Sequence, residues 1–145
     1  MSLEIINKPF TLDIYGFSGI AINKDYVTTA FKLMDKTWQV VKSNRLKNRG
    51  LNVWVYEPNE TVFAGVQVDS PPKNDTGLEQ KSITLKEYCY YKHVGPYNLI
   101  RQAGQRMKDE LKKKGIEISD PYIEIYGHWT NDESKLETEL FMCLK

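Results

Sequence analysis

The sequence predicts an α+β fold of two tandem, pseudo-symmetric strand–helix–strand–strand modules, forming two antiparallel sheets with a groove between them. Three observations carry that prediction. Short segments alternate apolar and polar residues, as half-buried strands do. Two stretches carry apolar residues at three- and four-residue steps, as amphipathic helices do. The order strand, helix, strand, strand then occurs twice, and internal similarity of this kind argues for a repeat.

The first module opens with "FTLDIYGFSGIAI", an alternating strand. Val27, Phe31, Met34, Trp38 and Val41 follow as one apolar stripe of a helix. "RLKNRG" then places cations in the last turn before Gly50, where positive charge offsets the helix dipole and glycine takes the left-handed cap cheaply. Two strands complete the module, "LNVWVYEP" and "TVFAGVQV". The second module repeats each step. "ITLKEYCYYKHVG" from Ile83 is its first strand, and Ile100, Ala103, Met107 and Leu111 are its helical stripe. "LKKKG" ends that helix at Gly115, and "PYIEIYG" and "ETELFMCL" are the closing strands. Between the halves "DSPPKNDTGLEQK", residues 69–81, reads as a linker because prolines, glycine and polar residues dominate it. The modules span about residues 3–70 and 79–145. Either alone is small for a self-sufficient core, so the chain of 145 residues reads as one domain.

Composition narrows the function classes. A net charge of +1, from 20 basic and 19 acidic residues, lacks the basic excess of a nucleic-acid-binding domain. The run Lys112–Lys114 is accounted for by the helix terminus and lacks interleaved aromatics. Cys89 and Cys143 lie in apolar stretches and read as thiols rather than a disulfide framework. With His93 and His128 they give no zinc-ligand spacing, so no metal and no cofactor is expected. No apolar run is long enough to span a bilayer and no signal peptide is evident; the expected compartment is the cytoplasm. Glycine-rich phosphate loops and nucleophile–base pairs are likewise not found.

In "KHVGPYNLI" Gly95 and Pro96 stand between a strand and a helix. Proline suits a first helical turn, and His93 reads as a hydrogen-bonding residue of that turn. Tyr97 reads as packing at the helix start.

Aligning "NVWVYE" with "YIEIYG" sets Trp54 against Glu124 and Tyr56 against Tyr126. Because side chains alternate, Val53, Val55, Ile123 and Ile125 are expected to face the helices. Trp54, Tyr56, Glu124 and Tyr126 then share the other faces, and modules paired about a twofold axis bring them together as an aromatic box with one carboxylate. Such a box prefers an organic cation. From alternation alone, Glu124 is equally a solvated carboxylate on an exposed strand face. Tyr88 and Tyr90 are assigned to the groove, with Cys89 and Tyr91 toward the helix; core tyrosines are the competing reading. Trp129 either walls the site or covers the core. Glu137 and Glu139 read as edge carboxylates.

"HVGPY" after a strand, "PYIEIY" after a helix, "FAGVQV" before the linker and "ETELFMCL" at the end together resemble the GyrI-like domain family. That family includes the effector-binding domains of AraC-type and MerR-type transcription activators. The resemblance covers nearly the whole chain. It implies a tandem pair of strand–helix–strand–strand modules with a ligand groove between them, and ligands that are bulky, hydrophobic or cationic. It also implies that Glu124, in the E-x-Y strand, lies in that groove. On this basis the chain is expected to be a stand-alone effector-binding or drug-sequestering module, with no room for a helix-turn-helix. A small-molecule hydrolase using Glu124 as acid/base and a gyrase-inhibitor-like protein-interaction module are the alternatives the resemblance leaves, the latter with its protein partner unspecified.

Overall fold

A computed structural model describes residues 2–145. In chain order the elements are β1 (Glu4–Ile6), β2 (Phe10–Ile20), α1 (Tyr26–Ser43), β3 (Asn52–Glu57), β4 (Thr61–Val66), β5 (Glu79–Leu85), β6 (Tyr88–Val94), α2 (Ile100–Lys113), β7 (Ile118–Tyr126) and β8 (Glu137–Leu144). The segments that alternate all form strands, and every strand pair is antiparallel.

The strands make one sheet rather than two, in the order β1-β6-β8-β7-β3-β4-β2-β5. The halves join toward the sheet ends through β1–β6 and β2–β5, and at the centre through the β3–β7 pair, in which Val53 faces Ile125 and Val55 faces Ile123. β-Branched residues suit such a pleated, packed surface. Outward from this pair the order is β4-β2-β5 on one side and β8-β6-β1 on the other.

The sheet curls into a half-barrel, and chain length alone requires it. The predicted strand from Ile83 to Gly95 breaks at Lys86–Glu87 into β5 and β6, which lie near opposite ends of the sheet. Leu85 and Tyr88 can be no more than about 11 Å apart. The two sheet ends therefore approach each other, and Phe10 of β2 stacks on Phe141 of β8 with ring centroids 4.9 Å apart. Inside the curl Leu12, Ile14, Val53, Val55, Phe63, Ile123 and Ile125 form a buried core with Phe141.

This overturns the expected facing of β3 and β7. Val53, Val55, Ile123 and Ile125 fill the interior of the curl, and the helices lie on the other face. Aliphatic residues are needed inside because walls converge there; a flat two-layer packing does not apply. On the outer face α1 crosses β2 and β4, whereas α2 packs on β6 and β8. Neither helix lies directly over the central strands β3 and β7.

α2 buries the predicted stripe Ile100, Ala103, Met107 and Leu111. α1 follows its predicted stripe only in part: Met34 and Val41 are buried with Ala30 and Thr37, and Trp38 packs against them, while Val27 and Phe31 are 56% and 57% exposed. Small Ala30 lets the helix sit close to β4, and the larger residues are turned toward the gap between the helices. The helix starts where the Asp25 carboxylate accepts from the Thr28 N–H. Its C-terminal cap is Arg45 at φ 52°, not the expected Gly50, with Leu46 N–H donating to Val41 carbonyl. α2 closes in the same way on Gly115, at φ 70°, with Ile116 N–H donating to Leu111 carbonyl.

His93 is a turn residue, as its sequence context indicates. It is buried, and its Nε2 lies 3.0 Å from the Pro96 carbonyl oxygen, tying the end of β6 to the entry of α2. Among the described residues no cluster of metal-ligating side chains occurs. Replacing His93 by alanine is expected to lower the free energy of unfolding in urea by about 1–2 kcal/mol. An unchanged unfolding midpoint would remove its structural role.

Candidate functional site

The outer faces of the neighbouring strands β3 and β7 lie between α1 and α2, with Trp54 packed beside α1 and Tyr122 and Tyr126 beside α2. Alternation places Tyr122, Glu124 and Tyr126 of β7 on that face, and register sets Tyr122 opposite Tyr56 and Glu124 opposite Trp54. The structure thus brings Trp54, Tyr56, Glu124 and Tyr126 together, on the helix-bearing face rather than the one expected.

Glu124 is the centre of the arrangement and only 6% exposed. Its Oε1 accepts from the Tyr56 hydroxyl at 3.0 Å and from the Tyr126 hydroxyl at 2.5 Å. Its Oε2 accepts from the Tyr122 hydroxyl at 2.7 Å. Among the described residues no cationic side chain forms an ion pair with it. A carboxylate offers about four acceptor positions, so one on Oε2 is left open. Burying an anion without a counter-charge costs several kcal/mol, and three charge-assisted hydrogen bonds offset part of that. The negative charge itself is left unneutralised.

The phenols answer to the same environment. Burial, followed by the Glu124 charge, pushes Tyr56, Tyr122 and Tyr126 well above the ordinary tyrosine range. They are therefore fixed donors at any physiological pH. Around them the rings form a continuous wall: Tyr56 stacks on Tyr122, and Trp54 meets Tyr126 edge-on at 4.9 Å. Three further aromatics extend it outward. Tyr26 meets Tyr56, Phe31 meets Trp54 and Tyr97 meets Tyr126, each edge-on. Phe31 with Ile22 and Val27, and Tyr97 with Val94 and Leu99, leave exposed apolar surface beside α1 and α2 respectively.

Three residues expected in the groove are elsewhere. Cys89 and Tyr91 do face α2, so Tyr88 and Tyr90 point to the inside of the curl, away from Glu124. Their face is separated from that of Cys89, as expected, but Trp54, Tyr56, Glu124 and Tyr126 lie on the helix side. Trp129, in the loop after β7, is 74% exposed and pairs with none of the box's rings. Conversely, Tyr122, Tyr26, Phe31 and Tyr97 were not anticipated. Tyr122 was legible, since it has the parity of Glu124 and Tyr126 in "YIEIY". The other three come from the helix entries, and no local pattern reveals that those entries flank β3 and β7.

Comparison with known proteins follows the geometry. The family model described as the GyrI-like small molecule binding domain matches residues 16–145. Among solved structures, the EcmrR C-terminal domain superposes with a TM-score of 0.74 at 19% identity, covering 99% of this chain and 96% of that one. SAV2435 bound to tetraphenylphosphonium gives a TM-score of 0.64 at 16% identity, covering 100% and 94%. A hydrolase from Listeria innocua gives 0.57 at 14% identity, covering 99% and 91%. At these identities the likeness is one of fold. No curated protein matches the sequence. No helix is long and apolar enough to cross a membrane.

Proposed function

Because the chain belongs to the GyrI-like small-molecule-binding family, we propose that it binds bulky hydrophobic cations in the groove between α1 and α2, with Glu124 as counter-ion. The observation that carries this reading is the buried carboxylate held by three tyrosine hydroxyls with no cation of its own. An entering cation supplies the missing charge, and each aromatic face adds about 0.5–2 kcal/mol according to its desolvation. The exposed apolar lips formed by Phe31 and Tyr97 suit a ligand whose body is larger than its charged centre. SAV2435, which shares the fold, is bound to tetraphenylphosphonium, and that ion is the natural first probe.

The reading includes the internal duplication. The two strand–helix–strand–strand halves are taken as copies of one module within a single domain, and the groove as the seam where they meet. The matching strand order outward from the β3–β7 pair supports this. The role, on this reading, is that of an effector-binding or drug-sequestering module.

Calorimetric titration with tetraphenylphosphonium and with neutral triphenylphosphine oxide tests the charge preference. The cation is expected to bind at least about tenfold tighter. Equal affinities would contradict the counter-ion role.

A hydrolase reading rests on the same contacts, since a carboxylate 2.5–3.0 Å from phenolic hydroxyls has the reach of an acid–base pair. The raised tyrosines weigh against it, because they do not give up protons near neutrality. Hydrolysis of activated aryl esters by the wild type, lost in Glu124→Gln, would favour the enzyme; no hydrolysis sets it aside.

A further inference from the structure

The opposite face of the sheet holds a cavity of about 380 Å³ in the mouth of the half-barrel. Its floor is apolar: Leu12, Ile125 and Phe141 are all buried. Phe10, stacked on Phe141, and Tyr88, tilted against both, form an aromatic wall. Cavities of this size and lining, at barrel mouths, are where small molecules bind.

Its charged groups are two carboxylates, Glu4 and Glu139, against one cation, Arg49. Tyr90 donates to Glu139 Oε2 at 2.6 Å, and Glu4 lines the cavity from the neighbouring edge strand. Neither Glu4 nor Glu139 has an ion-pair partner among the described residues. After burial, the carboxylates of Glu139 and Glu4 are what raise both Tyr88 and Tyr90, so their fields converge on this wall. Arg49 is the one cation on the lining, and it also borders an adjoining polar cleft with Asp13 and Asp69. The cavity thus joins an apolar aromatic floor to two carboxylates that make no ion pair, with Arg49 elsewhere on the lining.

We propose that the mouth of the half-barrel is a second binding site, independent of Glu124, for compact amphipathic amines whose ammonium sits at Glu139 and Glu4 and whose apolar body lies on Leu12, Ile125 and Phe141. A protonated amine suits it because Glu139 takes one strong hydrogen bond from Tyr90 and retains open acceptor positions. Tyr88 and Tyr90 are then ligand-contacting residues, of this site and not of the groove.

The test is an amide-resolved NMR titration of the Glu124→Gln protein with 4-phenylbutylamine at neutral pH and, separately, with neutral 4-phenylbutanol. Working in that background removes the groove's charge, so failure here and failure of the groove reading are separable. The amine is expected to shift amides of Leu12, Tyr90, Glu139 and Phe141 in a saturable way, about tenfold tighter than the alcohol. Adding Glu139→Gln is expected to abolish the preference. Glu4→Gln, at an exposed position that does not threaten folding, is expected to reduce it severalfold. No saturable shift on the inner face, shifts confined to the α1–α2 side, or equal affinity for amine and alcohol would overturn the proposal.

Discussion

Replacing Glu124 by glutamine is expected to weaken binding of a lipophilic cation about thirty- to 150-fold, corresponding to about 2–3 kcal/mol, without loss of folding stability. Two effects separate cleanly here. In the free protein the carboxylate is buried without a counter-charge, a cost that glutamine removes while keeping one carbonyl for the tyrosine hydroxyls. In the complex the same charge is what the ligand neutralises. Calorimetry and thermal unfolding on one preparation distinguish the outcomes. Weak binding with an equal or higher melting temperature fits the account. Weak binding together with a collapsed melting temperature would mean that Glu124 is structural, and unchanged binding would remove it from the site.

The largest stability effect is expected at Gly16, where alanine should cost about 3 kcal/mol in urea unfolding. Gly16 of β2 lies opposite Gly65 of β4. A Cβ built at Gly16 would stand 2.0 Å from the Ala64 carbonyl oxygen and 2.6 Å from Gly65 Cα. Backbone cannot swing aside as a side chain can, so the two strands must separate. Their close approach helps to curl the sheet, because glycine is the residue that permits backbones to meet. Gly104→Ala is the contrasting substitution. It lies within α2, its added methyl would meet only Tyr122 Oη at 3.7 Å, and alanine is the better helix former. A gain of about 0.5–1 kcal/mol is expected there. If both alanines have similar effects, the tight β2–β4 approach is not a determinant of the fold.

Much of the fold was legible because period-2 and period-3.6 patterns are local. β2, β3, β4, β7 and β8 and the buried stripe of α2 follow directly from them. What escaped was whatever depends on how elements meet. Alternation establishes that Trp54 and Val55 point opposite ways, but both faces of β3 are buried, one by the curl and one beside the helices. Nothing local says which is which. The first half of the α1 stripe departs for a related reason: Val27 and Phe31 are exposed, and Phe31 meets Trp54 rather than entering the core, while Met34 and Val41 are buried. Glu124 and Tyr126 of β7, with Trp54 and Tyr56 of β3, were found because matching the two halves sets these two strands against each other. Tyr88 and Tyr90 were placed by parity alone, and parity cannot locate a groove.

The most direct test of the central claim is a crystal structure with tetraphenylarsonium, whose arsenic reports its own position by anomalous scattering. The account predicts one peak in the gap between α1 and α2, within about 6 Å of the aromatic ring centroids and beside the Glu124 carboxylate, lost in crystals of Glu124→Gln. A peak away from that gap, or one that persists unchanged in Glu124→Gln, would contradict it.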